Sequence, residues 1–466
     1  MSDQKIIILL PDGIGLRNFV FTDFSAIGTN KGLEVVYWNG TPFDLAAMGY
    51  REIKIENAKP HPLTTLYKNA RQQIELDLNC QKTNDKTYNT YRFEQNNKGF
   101  KNKLKKILLN TIIQQHSSEK GLVKVRNKIH QKEKQTAFYN TCLNTLKKEK
   151  PDIVFCTNQR HTVSIAPILA AQSLGIPTVA FIFSWDNLPK ATLVLETDYY
   201  CVWSAHMKKE LQFYYPYIKE EQIFITGSPQ FEPHFDANRK LSREVFFKNN
   251  ALDLDKKYVC YSGDDITTCP DDPQYLADVA AAVKKLNQKG YNLGIIFRRC
   301  PVDFSTRYAA VLEHYKDIIV PLAPLWQNKG THWGGVLPTK EDMDLQINTV
   351  AHSEMVLNLG SSMVFDFATN NKPCGYINYE VRNKVQKDWF VAHIYQYIHF
   401  RSMPSKEAVF WLHSAAEIEI KIQQILDQQP TAITDQAQQW FETINQHPAK
   451  DASKRIWQAI TEICNK

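Results

Sequence analysis

The sequence predicts an α/β protein built from two parallel sheets, each wound with helices. Three observations carry this expectation. Short apolar runs of strand length recur along the chain, closed by Gly, Pro, Asp or Ser. Between them lie longer stretches whose apolar residues are spaced three and four apart. Strands that alternate with helices pair in parallel, because each return to the sheet needs a crossing element. At ~100–200 residues per domain, the 466 residues have room for two such sheets.

In the first half, strands are expected at 6–10, 34–37, 153–156, 178–183, 199–203 and 223–226. In the second half they are expected at 258–262, 293–297, 318–320, 355–359 and 374–378. Helices are expected at 164–174 and 275–289. The latter places Leu276, Val279, Ala280, Val283 and Leu286 on one face and stops at Gly290. The charged, Asn-rich stretch 232–256, with Pro233 near its start, reads as the boundary between two halves that face each other across a cleft. The domains are thus 1–235, 256–404 and, after Pro404, a helical tail 405–466 with helices at 406–426, 433–444 and 452–463.

Composition narrows the function. Hydrophobic residues make up 43% and charged residues 23%, which excludes disorder and fibrous repeats as the main state. Lys and Arg outnumber Asp and Glu by 56 to 49, a mild excess that calls for no nucleic-acid partner. The nine cysteines show no C-x-x-C spacing, so neither a disulfide framework nor a metal site is expected. The most apolar stretch, 164–185, is broken by Gln172, Ser173, Gly175 and Pro177, and the apolar start ends at Pro11-Asp12. A cytoplasmic protein is expected. Residues 97–134 stand apart, with eleven bases against Glu119 and Glu133 and an apolar stripe of Leu104, Ile107, Leu108, Ile112 and Ile113. Two readings fit this insertion: a solvated helical excursion, or peripheral contact with the anionic inner face of a membrane.

Five loops at strand ends carry possible chemistry, since ligands of open α/β sheets bind beyond the carboxyl ends of the strands. After the first strand, Asp12-Gly13-Ile14-Gly15-Leu16-Arg17-Asn18 departs from the dinucleotide pattern G-x-G-x-x-G at Asn18. It reads as a tight turn or as a loop presenting Asp12, Gly13, Arg17 and Asn18 to a substrate. The loop 157–162 offers Arg160 and the base His161, or simply a helix cap. Ser184-Trp185-Asp186-Asn187-Leu188 offers Asp186 and Asn187, for a turn or for an acceptor. Thr226-Gly227-Ser228-Pro229 is expected at the floor of the cleft.

In the second half, Gly360, Ser361 and Ser362 open a helix after a strand, with Asp366 one turn on. Amide N–H groups and hydroxyls there suit an anion. Ser262-Gly263 and Arg298-Arg299 follow other strands of that half, so all three loops share one sheet edge, as a nucleoside diphosphate requires. One of the two arginines has a possible partner in Asp303. Trp326, His332 and Trp333 follow the strand at 318–320, to stack on a base or to cover the apolar rim.

At these residues the chain resembles GT-B glycosyltransferases. It is most similar to bacterial surface-polysaccharide enzymes with a Ser-Trp-Asp-Asn-Leu block, here 184–188, and a Gly-x-Pro-Gln-Phe block, here 227–231. The resemblance covers 151–235 well and 258–379 in part. It implies two Rossmann-like domains, the acceptor bound by the first and a nucleotide-sugar donor by the second. It also implies no cofactor or obligatory metal, and a terminal helix returning to the first domain. The implied acceptor is a glycan or lipid-linked molecule. Asp12 is then expected as the base, with His161 orienting the acceptor hydroxyl.

The residues Ser361–Asp366 with Lys372-Pro373 also resemble polyol-phosphate transferases of teichoic-acid synthesis, although Cys300 stands where their Arg-x-His-Pro loop has His. A glycosyltransferase is the expected activity; a nucleotide-sugar 2-epimerase, also GT-B-like, and an inactive scaffold that binds partners are the further alternatives.

Overall fold

The computed structural model describes residues 4–92, 99–328, 336–428 and 431–466. Residues 97–98 of the basic segment and the expected stacking residues His332 and Trp333 lie outside them. The chain divides into two units.

The first unit comprises residues 1–229, 397–399 and 444–466. Its strands are β1 (Lys5–Leu10), β2 (Glu34–Asn39), β3 (Glu52–Lys54), β4 (Ile153–Cys156), β5 (Thr178–Phe181), β6 (Tyr199–Val202) and β7 (Ile223–Ile225). They form one parallel sheet in the order β3-β2-β1-β4-β5-β6-β7. In its register, Ile7 lies between Val36 and Val154. The uninterrupted run Ile6 to Leu10 forms a strand because both faces are covered, and all five side chains are buried. On one face Ile7, Leu9, Val36 and Val154 meet Ile165, Ile168 and Leu169. Among the aromatics of this unit, Phe19 packs edge-on against Phe24 and Phe181.

The terminal helix Ala452–Cys464 belongs to this unit. Trp457 stacks on Phe24 at 4.6 Å and its indole N–H donates to the Phe24 carbonyl at 2.7 Å. Gly28 makes room for it, since a Cβ there would fall 2.4 Å from the ring. The insertion between β3 and β4 is helical, over Thr64–Thr83, Phe100–Gln115, Glu119–Glu133 and Ala137–Glu149. Its own small core joins Ala70, Ile74, Leu109, Ile112, Leu122 and Val125.

The second unit comprises residues 230–396 and 400–443. It holds β8 (Lys257–Ser262), β9 (Leu293–Arg298), β10 (Ile319–Pro321), the antiparallel pair β11 (Gln327–Asn328) and β12 (Val336–Leu337), β13 (Met355–Asn358), β14 (Cys374–Ile377) and β15 (Phe410–Leu412). Six of these form a parallel sheet in the order β10-β9-β8-β13-β14-β15.

Two sequence expectations need correction. The helix expected at 406–426 is interrupted: β15 pairs in parallel with β14, and the helix runs only over Ala415–Asp427, capped by the Ser414 hydroxyl. Burial of Phe410 and Leu412 at the sheet edge outweighs the helical spacing there. The stretch 232–256 is folded rather than a bare connection. It carries the helix Arg243–Asn249, whose Phe246 and Phe247 are buried with Tyr258 and Ile296.

Candidate functional site

In each unit the strand order reverses once, between β1 and β4 in the first and between β8 and β13 in the second. Loops leaving two adjacent strands in opposite directions open a crevice at their carboxyl ends, where such sheets bind ligands. The polar loops after β1, β4, β8 and β13 fall at these two points, whereas those after β5, β7 and β9 follow other strands of the same sheets.

At the first point, Asp12 caps the short helix Gly13–Phe19 by accepting from the Ile14 amide at 3.2 Å, while its other oxygen accepts from the Asn158 side-chain amide. Asn158 is itself fixed by the Arg160 amide N–H at 3.0 Å. The loops after β1 and β4 are thus tied together. Gly15 permits the close approach, since a Cβ there would lie 2.5 Å from the Thr157 hydroxyl. Arg17 and Arg160 are half-buried, and the Arg160 guanidinium lies 4.5 Å over the Phe183 ring. Asn18 is buried at the far end of its helix, away from Asp12.

His161 follows, half-buried, with its Nδ1 shut from solvent and without a hydrogen-bond partner. Burial lowers its pKa below the usual histidine range. Asp12 pulls the other way, and Lys68 and Arg160 reinforce the lowering. The ring is therefore neutral near pH 7.

Asp186 and Asn187 are turned inward. Asp186 accepts from Ser184 at 2.6 Å, from Asn187 at 2.8 Å and from Lys190. The Asn187 side-chain Oδ1 accepts from the Gln159 side-chain amide at 2.8 Å. These two expected acceptor residues therefore brace the loop after β5. Gly227 is similarly engaged: its φ is +77°, and a Cβ would lie 2.9 Å from the Arg455 guanidinium.

His399, unforeseen in the sequence, sits edge-on to Trp185 at 4.7 Å. Burial pushes its imidazole down to about 3, against the opposing pull of Asp186. The unfolded chain takes up this proton near 6.5, the folded chain only near 3. The neutral ring's contribution is therefore complete above pH ~6.5 and is lost as pH falls between those values. Asp186 acts in the same direction at lower pH. Its pKa is depressed, chiefly by Lys190 and His399 against the cost of burial, so its contribution is lost below its ordinary 3.8. The His399→Gln variant is expected to lose less thermal stability between pH 7 and pH 4 than the native chain; parallel pH–melting curves would refute the assignment.

At the second point, Ser262 ends β8 and Gly263 follows it, the Gly263 amide donating to the Arg298 carbonyl at 2.9 Å. A Cβ at Gly263 would meet Asp272, Phe297 and Tyr308 within about 3 Å. Behind the loop lie two acids. Asp272 accepts from Tyr261 at 2.8 Å, from Tyr308 and from the Asp264 amide at 3.2 Å. Burial raises the pKa of Asp272 to about 6 and that of Asp264 well above the carboxylate range. After β13, Gly360 turns at φ +70° against Ile394 and Phe400. Ser361 donates its amide to Asn358 at 2.8 Å and receives the Met363 amide on its hydroxyl at 3.3 Å, and Ser362 is exposed.

The arginines differ in availability. Arg298 is buried and donates to both oxygens of Asp342 at 2.8 Å, which also receives the Trp326 indole at 2.7 Å. The edge of Trp326 is thereby anchored to Asp342. Arg299 bonds the Ser305 carbonyl at 2.7 Å and Asp303 at 3.4 Å, remains part-exposed, and keeps an unpartnered Nε. Asp366, expected to reach a ribose or brace its loop, instead accepts from His234 at 2.9 Å with both groups buried. Lys372 donates to the carbonyls of Val350 at 3.0 Å, Ala351 at 2.6 Å and Ser353, closing the helix Lys340–His352. That ammonium is thus committed to the backbone.

No protein-family model and no curated protein matches the sequence. Among solved structures, the chain is similar to Staphylococcus aureus MnaA in its co-structure with UDP, at 14% identity and a TM-score of 0.52 over 99% of this chain and 97% of that one. It is also similar to the UDP-GlcNAc 2-epimerase of Methanocaldococcus jannaschii, at 12% identity and a TM-score of 0.53 over 98% of this chain and 99% of that one. At such identities the likeness concerns the fold. With its seven- and six-stranded parallel sheets, the chain has the GT-B-like build of two Rossmann-type units followed by helices.

Proposed function

We propose that the chain is a GT-B glycosyltransferase that moves a sugar from a nucleoside diphosphate to a hydroxyl of a glycan or lipid-linked acceptor in surface-polysaccharide synthesis. The observation that supports it best is the coincidence of two polar loop sets with the two topological switch points. In this proposal the first unit takes the acceptor and the second takes the donor. Gly360, Ser361 and Ser362 meet the diphosphate together with Ser262 and Gly263, and Arg299 supplies the charge, since Arg298 is committed to Asp342. The anomeric carbon leaves the diphosphate oxygen and bonds the acceptor oxygen. For an inverting reaction the hydroxyl proton passes to His161. Asp12, held by Ile14 and Asn158, favours the imidazolium that forms.

A second reading, nucleotide-sugar 2-epimerase, is supported by the likeness in fold to the Methanocaldococcus jannaschii enzyme of that activity. Product analysis separates the two. Nucleoside diphosphate released only when a glycan or lipid-linked acceptor is added supports transfer. An epimerised sugar nucleotide formed without acceptor supports epimerisation, and CMP released from a polyol donor would contradict both. The variant with Ser361→Ala and Ser362→Ala is expected to bind donor about tenfold or more weakly, given ~1.5–3 kcal/mol per hydrogen bond to a charged group. Unchanged affinity in the folded variant would remove these hydroxyls from the site.

A further inference from the structure

The helix Phe100–Gln115 has two apolar faces. Leu109 and Ile112 are buried against Ala70, Ile74, Leu122 and Val125. About half a turn away around the helix, Phe100, Leu104, Ile107 and Leu108 are 81%, 50%, 62% and 47% exposed. Ordinary surface helices turn polar side chains to that side. Polar contact does not account for this face: the Thr111 hydroxyl, next along it, is satisfied by the Ile107 carbonyl at 3.0 Å. Lys103 is exposed beside the stripe, one turn from Phe100 and Ile107, with exposed Lys106 next to it, while Lys105 lies on the side of Leu109 and Ile112; the helix contains no acid.

We infer that this face docks on an anionic lipid bilayer, with Phe100, Leu104, Ile107 and Leu108 entering the headgroup–acyl boundary and the lysines meeting lipid phosphates. Lysine stems can lie along the apolar stripe while the ammonium groups reach outward. Charge complementarity selects this occupant. A second copy packed face to face would oppose lysine to lysine, whereas an anionic bilayer pairs each of them. The surface is independent of the sugar-nucleotide reading, because neither switch-point loop set contributes to it.

The test is flotation of the full chain with vesicles of phosphatidylcholine alone and of phosphatidylcholine mixed with phosphatidylglycerol. Binding to the mixed vesicles only, weakened by salt, is expected. Phe100→Ser with Ile107→Ser should lower partition about tenfold or more. Lys103→Gln and Lys106→Gln should each lower it about fivefold. All these side chains are exposed, so unchanged circular dichroism is expected. Failure of the native chain to float with mixed vesicles, equal flotation with both kinds, or variants that float like the native chain would each overturn the inference. So would a dimer dispersed by Ile107→Ser in a chain that does not bind vesicles, which would assign the face to a second copy.

Discussion

The His161→Ala variant is expected to turn over ~10²–10⁴-fold more slowly than the native chain while binding the sugar nucleotide as before. The imidazole is half-buried and held neutral by desolvation. Near neutral pH an imidazole is a better proton acceptor than a carboxylate, and Asp12, held by Ile14 and Asn158, favours the imidazolium. Asp12→Asn removes the negative charge that favours the imidazolium, so a smaller loss is expected. Because the His161 pKa is lowered, the acidic limb of the turnover profile should fall below the ordinary 6.5. Normal turnover in His161→Ala with loss in Asp12→Asn would exchange the roles. Activity in both would place the base elsewhere.

The second large effect is on stability. Asp342→Ala is expected to cost about 3–5 kcal/mol, because it leaves the buried Arg298 guanidinium without its counter-charge. The same carboxylate also receives the Leu325 amide at 2.8 Å and the Trp326 indole, so the loop after β10 loses its anchor as well. Replacing both members, as Arg298→Met with Asp342→Leu, should recover the part of the loss due to the unpaired guanidinium but not the part due to the Leu325 and Trp326 donors. Denaturant midpoints measure both variants. An Asp342→Ala midpoint equal to the native one would show that the pair does not hold this loop.

The sequence reveals the parallel sheets because their strands are buried on both faces and announce themselves as short apolar runs, of which Ile6 to Leu10 is the plainest. The edge strands escape it. β3 offers only Ile53 between Glu52 and Lys54, and Phe410-Trp411-Leu412 lies within helical spacing until pairing with β14 decides its form. The chemistry-bearing loops are legible as polar residues at strand ends. Their partners are not, since Asp12–Asn158, Arg298–Asp342 and His234–Asp366 join residues far apart in the chain. Such pairings follow from strand order rather than from local pattern. They explain why Arg298 and Asp366 are held by residues distant in sequence, whereas Asp186 makes the local turn contacts its Asx position suggested.

The most direct test of the central claim is the melting temperature of the native chain against a panel of nucleoside mono- and diphosphates and nucleotide sugars. A ligand that binds only the folded chain stabilises it by RT ln(1 + [L]/Kd), about 2.7 kcal/mol at a hundredfold excess over Kd. The account predicts a saturable upward shift with one nucleoside diphosphate and its sugar conjugate, reduced when Ser361 and Ser362 are both replaced by Ala. No shift with any member of the panel at saturating concentration would contradict it.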